Sequence, residues 1–172
     1  MRLLLIGFLL FSQACGPAPA EAAQTVAATS PAPASGPYLR MKVDGKEVNC
    51  TNVFGAYNPK GYPTGTTIVA GDMKADGSQP FNVALYDIPS TGVYTITAGQ
   101  DPAKWAVQYI DPTATNPFLI RHLAVNNKPG SSFEIRFTKL SADDLEGTFE
   151  GFLTSDNGEH IVHITEGKFD TY

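Results

Sequence analysis

A chain of 172 residues carrying 12 Lys and Arg against 17 Asp and Glu has a net charge of −5, with 42% hydrophobic residues. That balance leaves no basic footprint for nucleic acid and no basic patch for anionic lipid. The acidity is mild, and it serves solubility rather than the steering of a cation.

In chain order, the first element is an apolar run from Leu3 to Phe11 behind Arg2. It spans about half of the ~20 residues that a membrane-crossing helix needs, so it is read as a signal peptide over residues 1–14. Ser12-Gln13-Ala14 forms the short polar stretch that ends in a small residue, and Cys15 follows at once. Ala14-Cys15 resembles a bacterial lipobox, although Ser12 stands where that motif usually has Leu, Val or Ile. The resemblance implies cleavage before Cys15, acylation of its sulfur, and a lipid bilayer as the first partner. Several acyl chains on one residue exceed the two that stable anchoring takes, at ~0.8 kcal/mol per buried methylene. The alternative is an ordinary secretory signal with an unrelated cysteine.

Residues 15–37 continue as a disordered Ala/Pro-rich linker. From Gly16 to Pro37 the only charge is Glu21, and no periodic apolar pattern offers a face to bury. Pro17, Pro19, Pro31, Pro33 and Pro37 stiffen it, giving a stalk with a span of roughly 25 to 65 Å.

Residues 38–172 make one domain in which period-two alternation dominates. Leu39, Met41 and Val43 share one face, and Asp44-Gly45 offers a two-residue turn into a strand over Glu47 to Val53. Further strands are expected at Thr66 to Met73, Phe81 to Tyr86, Gly92 to Thr97, Trp105 to Asp111 and Leu119 to Asn126. Phe133-Glu134-Ile135-Arg136-Phe137 shows the clearest alternation, and Gly147 to Thr154 and His160 to Phe169 close the series. Turn signals separate them at Asn58-Pro59, Asp76-Gly77, Pro89-Ser90, Asp101-Pro102, Asn116-Pro117, Pro129-Gly130 and Asp156-Asn157-Gly158. Ser141-Ala142-Asp143-Asp144 fits a cap on a short helix. About nine to ten short strands joined by tight turns predict an all-β class, an antiparallel sandwich or barrel.

Motifs that carry chemistry are sparse. His160 and His163 form an H-x-x-H whose odd spacing sends the imidazoles to opposite faces of a strand, so no metal site is assigned. His122, between Arg121 and Leu123, reads as a surface or hydrogen-bonded strand residue. The acidic turns at Asp72 to Gly77 and Asp156 to Glu159 lack the oxygen spacing of a calcium loop. Cys50 reads as a small buried residue on a strand; a disulfide to Cys15 competes only where Cys15 is not acylated. Trp105, Tyr109 and Tyr86 are the candidate ligand-binding residues, because flat amphipathic rings suit a sugar or peptide groove. Trp105, Val107 and Tyr109 on one strand face read first as core; in a barrel the same inward face would line a ligand cavity instead. No catalytic residue and no cofactor is assigned.

Near both ends of the domain the chain is similar to a family of small, uncharacterised Gram-negative lipoproteins. The likeness rests on Gly147-Thr148-Phe149-Glu150-Gly151, Asp156-Asn157-Gly158, Ile164-Thr165-Glu166-Gly167-Lys168-Phe169 and the opening hairpin Met41 to Val48. It implies an antiparallel β domain on a lipid anchor, with no catalytic residue to carry over and the outer membrane as the expected location. The expected function is a non-enzymatic binding or interaction module of the envelope, with a protein or glycan partner and no nucleic acid. The alternative is a hydrolase of envelope glycans or peptides whose site is assembled from scattered residues.

Overall fold

The computed structural model describes residues 36–72, 80–111, 121–124 and 129–172. The signal segment, Cys15, the linker as far as residue 35, and the Asp76-Gly77 and Asn116-Pro117 turns lie outside the described residues. Within them are eleven strands: β1 (Tyr38–Val43), β2 (Lys46–Cys50), β3 (Val53–Tyr57), β4 (Thr67–Gly71), β5 (Phe81–Leu85), β6 (Gly92–Thr97), β7 (Trp105–Ile110), β8 (Arg121–Leu123), β9 (Ser132–Leu140), β10 (Leu145–Ser155) and β11 (Ile161–Asp170). All pairings are antiparallel. The all-β antiparallel class read from alternation is the class observed.

The sheet runs β2-β1-β11-β10-β8-β7-β5-β4-β3, with β9 joined to β10 and β6 joined to β9. β10 is the fork. Its residues from Leu145 to Phe152 pair with β9, whereas Thr154 and Ser155 pair with β8. At the far end of the path, β3 returns to the start of β10. Tyr57 N donates to Ala142 O at 2.8 Å, and a Cβ on Gly55 would lie 2.5 Å from Thr171. Thr171 in turn donates its backbone N–H to Leu145 O and accepts the Leu145 N–H at its hydroxyl. The sheet is thereby nearly closed into a barrel.

Alternation fills the interior. Phe133, Ile135 and Phe137 of β9 are buried while Glu134 and Arg136 are exposed, and Leu39, Met41 and Val43 of β1 are buried as their spacing requires. From the opposite side Phe81 stacks on Phe149 at 4.8 Å, and Phe149 stacks on Phe133 at 5.7 Å and on Phe169 at 6.2 Å. Burying each such ring contributes roughly 1.5–3 kcal/mol.

Two glycines of the recurring motifs exist because of these rings. Gly167 pairs across strands with Phe149, and Gly147 pairs with Phe169. A Cβ on Gly167 would collide with the Phe149 ring, and one on Gly147 would collide with Arg136 O and the Phe169 ring. Each glycine leaves room for a ring to lie flat over its neighbour's backbone.

Two expectations are corrected. The single strand over Glu47 to Val53 is two, β2 and β3, because the Asp72 carboxylate accepts the N–H groups of Thr51 (2.7 Å) and Asn52 (3.1 Å) and turns the chain there. The Ser141–Asp144 helix cap is instead a hairpin turn: Ser141 and Asp144 exchange backbone bonds at 3.1 and 3.3 Å, and the Ser141 hydroxyl donates to Asp144 O. The strand expected over His160 to Phe169 is β11, and its alternation breaks once. A bulge at Thr165-Glu166, with Glu166 at φ 53°, shifts the buried set from Val162 and Ile164 to Gly167 and Phe169.

Candidate functional site

Across β7, β8 and β10 the register lines up Tyr109, His122 and Ser155 as successive cross-strand partners, all pointing inward. His122 is 2% exposed, and its ring lies 6.2 Å from that of Tyr109. Thr154 and Ser131 are buried beside them, their hydroxyls 2.7 Å apart. With Thr66 and Thr67 at the start of β4, the residues of this polar row are the buried polar side chains among the described residues. Ser155 Oγ is engaged by Asn157 Oδ1 at 2.6 Å and by His160 N at 3.0 Å. His122 Nδ1 is different: it is buried and has no hydrogen-bond partner among the described residues.

The electrostatics of the row follow from burial. Desolvation lowers the His122 pKa; the Asp111, Asp44 and Asp156 carboxylates oppose that shift and His160 adds to it. Tyr109 is pushed up to about 12, first by burial and then by the charges of Asp111, Asp44 and Cys50. At neutral pH the row therefore holds a neutral imidazole beside a protonated phenol, a pair able to donate or accept hydrogen bonds without carrying charge. The reading of His122 as a surface or hydrogen-bonded residue is corrected. In Arg121-His122-Leu123 the apolar neighbour invites the opposite facing, but pairing with Tyr109 and Ser155 turns the imidazole inward.

The other sequence candidates separate. Trp105 is half-buried, its Nε1 donates to Tyr86 O at 3.0 Å, and its ring meets Tyr94 edge-on at 6.1 Å. Tyr86 is half-buried too, and its N–H donates to Lys104 O. Trp105 thus meets Tyr86 through the Tyr86 backbone and pairs across strands with Leu85, while Tyr109 sits at the other end of β7 in the polar row. His163 is exposed and stacks on Phe152 at 4.1 Å, and His160 precedes β11. Among the described residues no three His, Cys, Asp or Glu side chains converge as a metal set. Cys50 is a buried free thiol on β2, pushed up to about 12 by burial first and then by the Asp72 charge and hydrogen bond. At that value it is not a nucleophile near neutral pH.

On the outer face of β9, β10 and β11 lies a depression of about 230 Å³ lined by Glu134, Thr148, Glu150, Glu166 and Lys168. Glu134 and Glu150 are direct cross-strand partners, and Glu166 is held by Lys42 at 2.7 Å. Sequence reasoning missed it. The outward Glu of each strand was legible, but their convergence depends on register.

What this geometry defines is a class: an antiparallel β domain, nearly closed, with a ring-packed interior. The chain matches no protein-family model, no curated protein and no solved structure.

Proposed function

We propose that the chain is a lipoprotein of the bacterial envelope, anchored to the outer membrane through acylated Cys15, whose β domain binds an envelope protein or glycan without catalysing a reaction. The observation that supports the binding half of this reading is the stack of Phe81, Phe149, Phe133 and Phe169, which occupies the interior and leaves loops, edges and outer faces for a partner. The anchoring half draws on Leu3 to Phe11, Ala14-Cys15 and the Pro-rich tract to Pro37. The likeness of its glycine motifs to small Gram-negative lipoproteins points the same way.

A second reading, a hydrolase of envelope polymers, draws on one observation: the buried His122, its Nδ1 without a partner among the described residues, beside Tyr109. Incubation of the full chain with isolated envelope glycan, and separate photo-crosslinking in intact cells, distinguishes the two. Binding predicts co-sedimentation or a crosslinked envelope protein, with no soluble fragments released. Fragments released by the wild type and lost in a folded His122→Gln variant would establish the hydrolase instead. The absence of both co-sedimentation and a crosslinked envelope protein would contradict the proposal.

A further inference from the structure

Among the described residues β6 pairs with β9 alone, so one side of it is an open edge. The bonds that β6 makes show which residues face that edge. Thr97 N donates to Gln100 Oε1 at 2.8 Å, and Gln100 Nε2 donates to Thr95 O at 3.5 Å. In an antiparallel ladder a residue's N–H and C=O point the same way, so Val93, Thr95 and Thr97 all face away from β9. Thr97 is fully used, because Gln100 N also donates to its carbonyl. Among the described residues, the outward hydrogen bond at Thr95 is to the Gln100 carboxamide at 3.5 Å, an amide standing where a neighbouring peptide group would stand.

The other edges are guarded. β2 carries Lys46 and Glu47, and β3 is tied to Ala142 and packed against Thr171. Gly92-Val93-Tyr94-Thr95-Ile96-Thr97 has no charge, no Pro and no bulge, and Val93 is 42% exposed. Such a strand lacks the usual protection against pairing with another chain.

We propose that β6 is a self-association edge at which a second copy of this chain adds its own β6 antiparallel, across a two-fold axis at Tyr94. The charges on β9 favour a second copy in one register, acting across three strand spacings, about 14 Å, between long side chains. On β9, Arg136 is the partner of Val93 and Glu134 the partner of Thr95. Centring on Tyr94 sets Val93 opposite Thr95 of the other copy, so each Arg136 shares a row with the other copy's Glu134. Centring on Thr95 instead would put the two Glu134 in one row. The Tyr94 register also satisfies the outward N–H and C=O of Val93 and Thr95 in both copies, and it displaces only the long Gln100 bond to Thr95 O.

Sedimentation equilibrium of the full chain in excess detergent micelles tests this. The wild type forms a dimer with a Kd on the order of 100 µM, as a short edge allows. Gln100→Ala tightens it by roughly two- to tenfold, because no intramolecular amide competes. Val93→Pro removes an N–H that β9 does not use, which an edge strand accepts, and it abolishes the dimer at unchanged melting temperature. Thr95→Lys does the same should the proline variant not fold. Glu134→Arg weakens association, and the double variant Glu134→Arg with Arg136→Glu restores it. Monomer alone at 1 mM (about 10-fold above that Kd) in wild type and Gln100→Ala, or a dimer that survives both Val93→Pro and Thr95→Lys, would overturn the proposal; so would association unmoved by Glu134→Arg.

Discussion

His122 is where a single residue governs solution behaviour. Its folded pKa is lowered, so between that value and the unfolded reference near 6.5 the unfolded chain binds the extra proton. The stability it contributes is present above about pH 6.5 and is lost as pH falls below it, by at most about 1.4 kcal/mol per pH unit for one group. Urea melts at pH 7.5 and 5.0 should show this loss, and His122→Leu should flatten it; an unchanged slope in the variant would assign the pH dependence to other groups. Cys50 makes a companion case. With its thiol buried and pushed up to about 12, it should resist maleimide at pH 7.5 in the folded chain and react on unfolding. The sequence made Cys50 legible, as a small residue flanked by Asn49 and Thr51 in a strand pattern. It did not make His122 legible, because the residues that fix its facing, Tyr109 and Ser155, belong to other strands.

At the level of strands, what could be read was what is local. Asp44-Gly45 announced its turn because both residues need positive φ, and they have it at 49° and 78°. Phe133 to Phe137 announced its buried face by alternation, and Ile135→Asp should unfold the domain by placing an unpaired charge at 0% exposure. An unchanged melting temperature would show that this face is not the core. Gly147→Ala and Gly167→Ala should each cost about 1–3 kcal/mol in chemical denaturation, since the added methyl meets a Phe ring with no room to shift. A loss near zero would mean that the rings are not seated over those backbones. What could not be read was distant: the break at Thr51-Asn52 is imposed by Asp72, twenty positions on. The Glu166 bulge likewise depends on two flanking strands, β1 and β10, at once.

For the molecule as a whole, alternation sufficed for the class and fell short of the closure. β3 meets the β9–β10 turn and the chain's last residues through Tyr57, Ala142, Gly55 and Thr171, contacts between positions with no common local signal. The same limit explains the candidate groove, in which the fold sets Trp105 against the Tyr86 backbone and sends Tyr109 to the polar row. In the proposed reading, the domain acts through its surface and the acylated Cys15 decides what that surface meets. The most direct measurement is the intact mass and first residue of the mature chain from bacterial membranes. The account predicts a chain that begins at Cys15, carries added acyl mass, and loses both mass and membrane retention in Cys15→Ser. A mature chain that fractionates as soluble protein with a free thiol at Cys15 would contradict it.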